Sequence, residues 1–221
     1  MGWIEYLLAI AAFFASHSLP LRPSVRARIE ALIGKRGFSI CYSCASIGAL
    51  VWLIVAAGRA PFVQLWPWAP WQNWAAIAAM LVSCLMITLA AGRANPFSFG
   101  GGSKPFDPRQ AGLVRWMRHP LLMALALWSL AHVLPNGNLA HVFLFGLFGI
   151  FALIGQRAVD RRKRRIMGET WQDLRNQVAA SSGRFGGFAP QEATVRLLSG
   201  VGLFLLILAS HKDIIGVSPL P

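Results

Sequence analysis

Leu139-Ala140-His141-Val142-Phe143-Leu144-Phe145-Gly146-Leu147-Phe148-Gly149-Ile150-Phe151-Ala152-Leu153-Ile154-Gly155-Gln156 carries no charge and stops at Arg157-Ala158-Val159-Asp160-Arg161-Arg162-Lys163-Arg164-Arg165. As a helix rising about 1.5 Å per residue, the uncharged stretch comes close to crossing the roughly 30 Å of hydrocarbon in a bilayer. The cations after it then sit where lipid gives way to water. Working outward, comparable apolar runs lie near 3–19, 39–57, 73–91, 113–134 and 195–211. The expected fold is all-α: a polytopic bundle of about six transmembrane helices in one domain spanning 1–221. No basic residue precedes the first run and Ser16-His17-Ser18 is a poor cleavage site, so it reads as a permanent helix.

Composition agrees. Of 221 residues, 56% are hydrophobic and 13% charged, and the mean hydropathy is +0.53. Lysine and arginine number 21 against 8 acids, a formal charge of +13. Every cation except Arg59 and Lys212 falls after the first, third or fifth run. Arg22, Arg26, Arg28, Lys35 and Arg36 follow the first, Arg93, Lys104, Arg109, Arg115 and Arg118 the third, and Arg157 through Arg196 the fifth. The positive-inside rule makes those three segments cytoplasmic and both termini external. The charge thus reads as a topology and anionic-lipid signal in a bacterial inner membrane, and nucleic-acid binding is excluded in its favour. Trp66, Trp68, Trp71 and Trp74, interleaved with Pro67 and Pro70, fit an outer aromatic belt. Residues 157–184 alternate bases with Ile166, Met167, Trp171 and Leu174, which suggests an amphipathic extension of the fifth helix.

Polar groups inside hydrocarbon are costly, so histidines there are functional candidates. His17 lies near the end of the first run, where Pro20 cannot donate to the Ser16 carbonyl, with Phe13 and Ile10 on its face. His119 sits in Arg118-His119-Pro120, where a basic loop enters the fourth run. His132 shares a face with Ser129 and Trp128, three and four residues back. Thirteen residues of unbroken helix would separate His119 from His132 by about 20 Å on nearly opposite faces. His141 and His211 read as helix-end residues bonded to a carbonyl or headgroup. Two imidazoles facing each other across a bundle could hold a haem iron axially. Cys41-Tyr42-Ser43-Cys44 is followed by Ala45, which excludes covalent haem attachment, and Cys84 reads as a helix contact. Gly100-Gly101-Gly102 lacks the strand and helix of a phosphate-binding fingerprint and reads as a flexible lid.

The order Ser16-His17, Arg118-His119-Pro120, Leu127-Trp128, Ala131-His132 and Asn136-Gly137 resembles the NnrU family of bacterial membrane proteins, over about residues 3–188. It is similar also to the related plant 15-cis-zeta-carotene isomerases. The resemblance implies haem b ligated by His17 and His132, with Ser129 where the isomerases carry a cysteine. Ser181-Ser182-Gly183-Arg184-Phe185 keeps part of a further family motif.

Four functions are compatible with these residues. One is a haem-binding membrane protein linked to nitrogen-oxide, denitrification or redox metabolism. A second is a haem-dependent cis-trans isomerase acting on a hydrophobic polyene. A third is a methyltransferase in which Arg118 and His119 bind S-adenosylmethionine, although no acid follows His119 on its helix. The fourth is a non-enzymatic membrane helper. The same orientation sets His17 toward the cytoplasm and His132 toward the outside, so a shared haem requires a low-starting fourth helix or tilted, broken helices.

Overall fold

The computed structural model describes residues 2–99, 102, 105–181 and 187–221. Among these residues there are seven α-helices and no strand: α1 (Gly2–Ser18), α2 (Pro23–Arg59), α3 (Pro70–Ala90), α4 (Pro120–Val133), α5 (Leu139–Met167), α6 (Glu169–Ala180) and α7 (Pro190–Ile215). The expected glycine lid lies outside the described residues except Gly102, as does most of the partial motif at 181–185.

Four helices, α2, α3, α5 and α7, are long and apolar enough to cross a membrane. Ile47, Val51, Ile150, Ile154, Leu198 and Leu206 on three of them are exposed, a surface that only lipid covers without penalty. The protein is therefore a multi-pass membrane protein. The remaining two expected spans are shorter: α1 has 17 residues and α4 has 14.

Three boundaries differ from expectation for identifiable reasons. The second helix starts at Pro23, sixteen residues before the apolar run, because Arg26, Arg28, Lys35 and Arg36 lie on helix rather than in a loop. It kinks at Gly34 (φ 73°), a conformation that a side chain resists. The fourth starts at Pro120, since the residue before a proline disfavours α geometry and His119 sits at φ −123°, ψ 62°. Residues 108–110 and 112–115 form separate 3-10 turns. The basic extension of the fifth helix is present but ends at Gly168 (φ 58°), beyond which α6 adds a seventh helix.

The chain gathers into two compact units, Met1–Trp66 with Asn138–Leu144, and Pro67–Gly137 with Phe145–Pro221. In the first, α1 and α2 are antiparallel. Gly2 lies so near the end of α2 that a Cβ would come within 2.6 Å of the Arg59 carbonyl, and at the other end Tyr42 Oη reaches the His17 carbonyl at 3.5 Å. Tyr6, buried on α1, donates to the Ala140 carbonyl at 2.8 Å. In the second unit α3 packs on α4 and α7. Ser83 donates to the Ala124 carbonyl at 2.8 Å, and at Gly200 a Cβ would lie 2.7 Å from Thr88 Oγ1. Such close crossings are how helices associate where the hydrophobic effect offers little. α4 and α5 run antiparallel, with Ser129 against Gly149 and Leu122 against Gly155, around a core of Leu122, Ala126 and Ala152. α6 lays Trp171 and Val178 onto Phe97, Ala111 and Val114 from the preceding loops.

Candidate functional site

His119 is the residue before α4, turned inward by the geometry that Pro120 imposes, and it is only 2% exposed. Its Nδ1 lies 3.0 Å from Ser98 Oγ and its Nε2 3.0 Å from Asp160 Oδ1 on α5. Asp160 also accepts from Arg118 Nη2 at 2.7 Å and Nε at 3.2 Å, a two-pronged guanidinium–carboxylate pair. Asn95 donates to the Arg118 carbonyl at 2.9 Å and accepts from the Phe97 N–H at 3.0 Å. An ionised carboxylate only accepts, so Nε2 carries the imidazole proton and Nδ1 accepts from the Ser98 hydroxyl. Burial pushes the His119 pKa below the ordinary imidazole value, outweighing the hydrogen bond and charge of Asp160, which pull it up. The ring is therefore neutral at pH 7 with both nitrogens occupied.

Arg118 belongs to a second feature of the same end. Its guanidinium and those of Arg164 and Arg175 lie 5.9, 4.3 and 5.6 Å from the centre of the Trp171 indole. These contacts join the segment that leads into α4 to α5 and α6 through cation–π attraction.

His132 occupies the last turn of α4. Its Nδ1 is 2.8 Å from the Trp128 carbonyl, and its ring lies 4.9 Å from those of both Trp128 and Phe145. Ser129, fully buried, has no hydrogen-bond partner for Oγ among the described residues. The ring centroid of His211 on α7 lies 6.4 Å from that of His132. His211 also meets the expected carbonyl: its Nδ1 is 2.8 Å from the Val217 oxygen.

His17, in the first unit, repeats the arrangement of His132. Its Nδ1 is 2.8 Å from the Phe13 carbonyl and its ring 4.1 Å from the Phe13 ring. Ser16 Oγ donates to the same carbonyl at 2.9 Å. The face of α1 below it, Trp3, Tyr6 and Ile10, forms with Leu7, Leu139 and Phe143 an apolar groove of about 280 Å³. Among the described residues no three His, Cys, Asp or Glu side chains gather as a metal cage. Cys41 and Cys44 are exposed, Cys84 is buried, and none forms a disulfide.

Of the residues singled out in the sequence, the structure brings His132, Trp128 and Ser129 into one cluster and Arg118 and His119 into another, with His17 in the other unit. The sequence model of the NnrU protein family matches residues 5–219. The chain belongs to the NnrU family. No curated protein and no solved structure matches it. In this NnrU-family chain the sequence reading missed Ser98 and Asp160. For Asp160 a signal existed: it is the lone acid within the basic run 157–165. Ser98 had none.

Proposed function

We propose that this NnrU-family membrane protein binds haem b through His17 and His132 and serves nitrogen-oxide or redox metabolism in a bacterial inner membrane. The observation that carries this reading is the shared setting of the two imidazoles. Each donates Nδ1–H to the carbonyl one turn back and lies tilted against the aromatic ring of that residue. A carbonyl on the far nitrogen fixes the tautomer and raises the basicity of Nε2, as it does for metal-bound histidines generally. Neutral imidazole donors in apolar, aromatic surroundings fit haem b. A bound haem supplies one-electron redox chemistry. The chain's part is to orient both imidazoles and to exclude water with Phe13, Trp128 and Phe145. Anionic lipids contacting the basic segments complete the expected setting.

Purification from haem-replete cells tests this. A Soret band is expected, lost or strongly diminished in both His17→Ala and His132→Ala. Haem-free wild-type protein would sink the proposal.

A second reading, a haem-dependent cis-trans isomerase of a polyene, is favoured by the apolar groove, since Trp3, Tyr6, Ile10, Phe13 and His17 recur at helical spacing along α1. Expressing cells fed a poly-cis carotene should then accumulate an isomerised product. An unchanged isomer profile would remove this reading.

A further inference from the structure

Three guanidinium groups converge on the Trp171 indole from three separate parts of the second unit. Arg118 precedes α4, Arg164 lies in the last turn of α5 and Arg175 is on α6. Their Cζ atoms are 5.9, 4.3 and 5.6 Å from the ring centre. Cation–π attraction reaches to about 6 Å, so two of the three sit near its limit and the ring alone does not account for so many like charges in one place. Neutralisation within the fold is incomplete. Asp160 pairs with Arg118 at 2.7 Å, whereas among the described residues neither Arg164 nor Arg175 makes an ion pair, and the α6 acids Glu169 and Asp173 make none either. With one carboxylate against three guanidiniums, positive charge is left in excess. The ring adds a donor of its own: Trp171 is 2% exposed, and its Nε1–H meets no acceptor among the described residues.

We propose that Arg118, Arg164 and Arg175 form a binding site for an anionic phosphate group at the cytoplasmic membrane surface. The planar guanidinium fork matches phosphate oxygens in pairs, and a phosphate monoester carries a charge of about −1.5 to −2, suited to the excess here. Arg164 and Arg175 are exposed and make no side-chain hydrogen bond among the described residues; Arg118 gives Nε and Nη2 to Asp160 and keeps Nη1. A lipid headgroup and a free phosphate share this chemistry, and depth favours the headgroup. Asp160, which holds Arg118, follows the end of the uncharged stretch at Gln156 by about 6 Å of helix, within a headgroup layer of about 5–8 Å. Such a site differs from the general attraction of basic segments to anionic lipid in being confined to one cluster. It relies on the membrane orientation and stands whether or not the protein binds haem.

The test uses the full chain in detergent micelles at low salt, with Tm followed by fluorescence. The probes are inorganic phosphate and micelles containing phosphatidylglycerol, with phosphatidylcholine micelles as the zwitterionic reference. A saturable rise is expected, about 5–10 °C where a probe reaches about a hundred times its Kd. Arg164→Gln/Arg175→Gln should lose the rise. Each variant is read against its own Tm without probe, so a weakened fold does not mimic lost binding. Arg161→Gln/Arg162→Gln, an equal loss of charge at exposed positions of α5, should keep it. A rise with phosphatidylglycerol alone assigns the site to a lipid headgroup, and a rise with inorganic phosphate assigns it to a soluble phosphate. No rise with either probe, or equal losses in the two double variants, would leave only diffuse surface charge and overturn the site.

Discussion

Replacing Asp160 by alanine should destabilise the second unit more than any other single charge removal in the basic run. Asp160 accepts three N–H bonds, one from His119 at 3.0 Å and two from Arg118 at 2.7 and 3.2 Å. The Arg118 side chain is 35% exposed, so water replaces most of what its guanidinium loses, and its share is about 0.5–1 kcal/mol. His119, at 2% exposure, cannot be rehydrated, and an orphaned buried donor costs about 1–3 kcal/mol. The total is roughly 2–4 kcal/mol, which for a chain of this size lowers Tm by on the order of 10 °C. The assay is thermal unfolding in detergent followed by fluorescence, with Asp173→Ala, an exposed acid on α6, as control; that variant should stay within about 0.5 kcal/mol of wild type. The double variant with His119→Ala adds a second criterion, because groups in one network do not add. A wild-type Tm in Asp160→Ala, or losses that simply sum with those of His119→Ala, would refute the account of this cluster as a buried, coupled network.

The same cluster predicts a pH response. His119 binds its proton more weakly in the native protein than in the unfolded chain. Stability is then fully present above the ordinary histidine pKa and falls as the pH drops through it toward the depressed native value; Tm measured from pH 8 to 5 should fall in that window, and His119→Ala should flatten it. Gly200→Val should cost about 1–3 kcal/mol by forcing α7 away from Thr88 and Leu85, a loss readable in the same melts. Tyr6→Phe removes the donor to the Ala140 carbonyl and should cost about 1 kcal/mol in the first unit, with no change in haem content.

Hydrophobicity made the membrane helices legible where it was unbroken. The runs at 73–91 and 139–156 became α3 and the apolar part of α5 within a few residues. It failed where helices continue into water. Arg26, Arg28, Lys35 and Arg36 look like a loop to any scale that rewards apolarity, yet they ride the start of α2, with Arg26 paired to Glu30 at 2.7 Å. α6 was hidden for a related reason. Its core contacts, Trp171, Leu174 and Val178, follow a helical period, but among so many bases they read as an appendage of the preceding helix. The local environments of His17 and His132 were visible because their partners stand one turn away. The partners of His119 were not, because Ser98 and Asp160 are separated from it by 21 and 41 residues and only the packing of α4 against α5 and the preceding loop unites them.

What distinguishes the histidines in the end is how many ring nitrogens the fold consumes. His119 spends both, on a hydroxyl and a carboxylate, in a site closed to solvent, and a ring so used can hold a loop and two helices together but has no lone pair left for a metal. His17, His132 and His211 each place Nδ1 on a backbone carbonyl, the smallest commitment that still fixes the ring. Depth in the sequence ranks His119 beside the other candidates. The hydrogen bonds separate it from them and assign it to architecture, because both of its ring nitrogens are taken up within the fold.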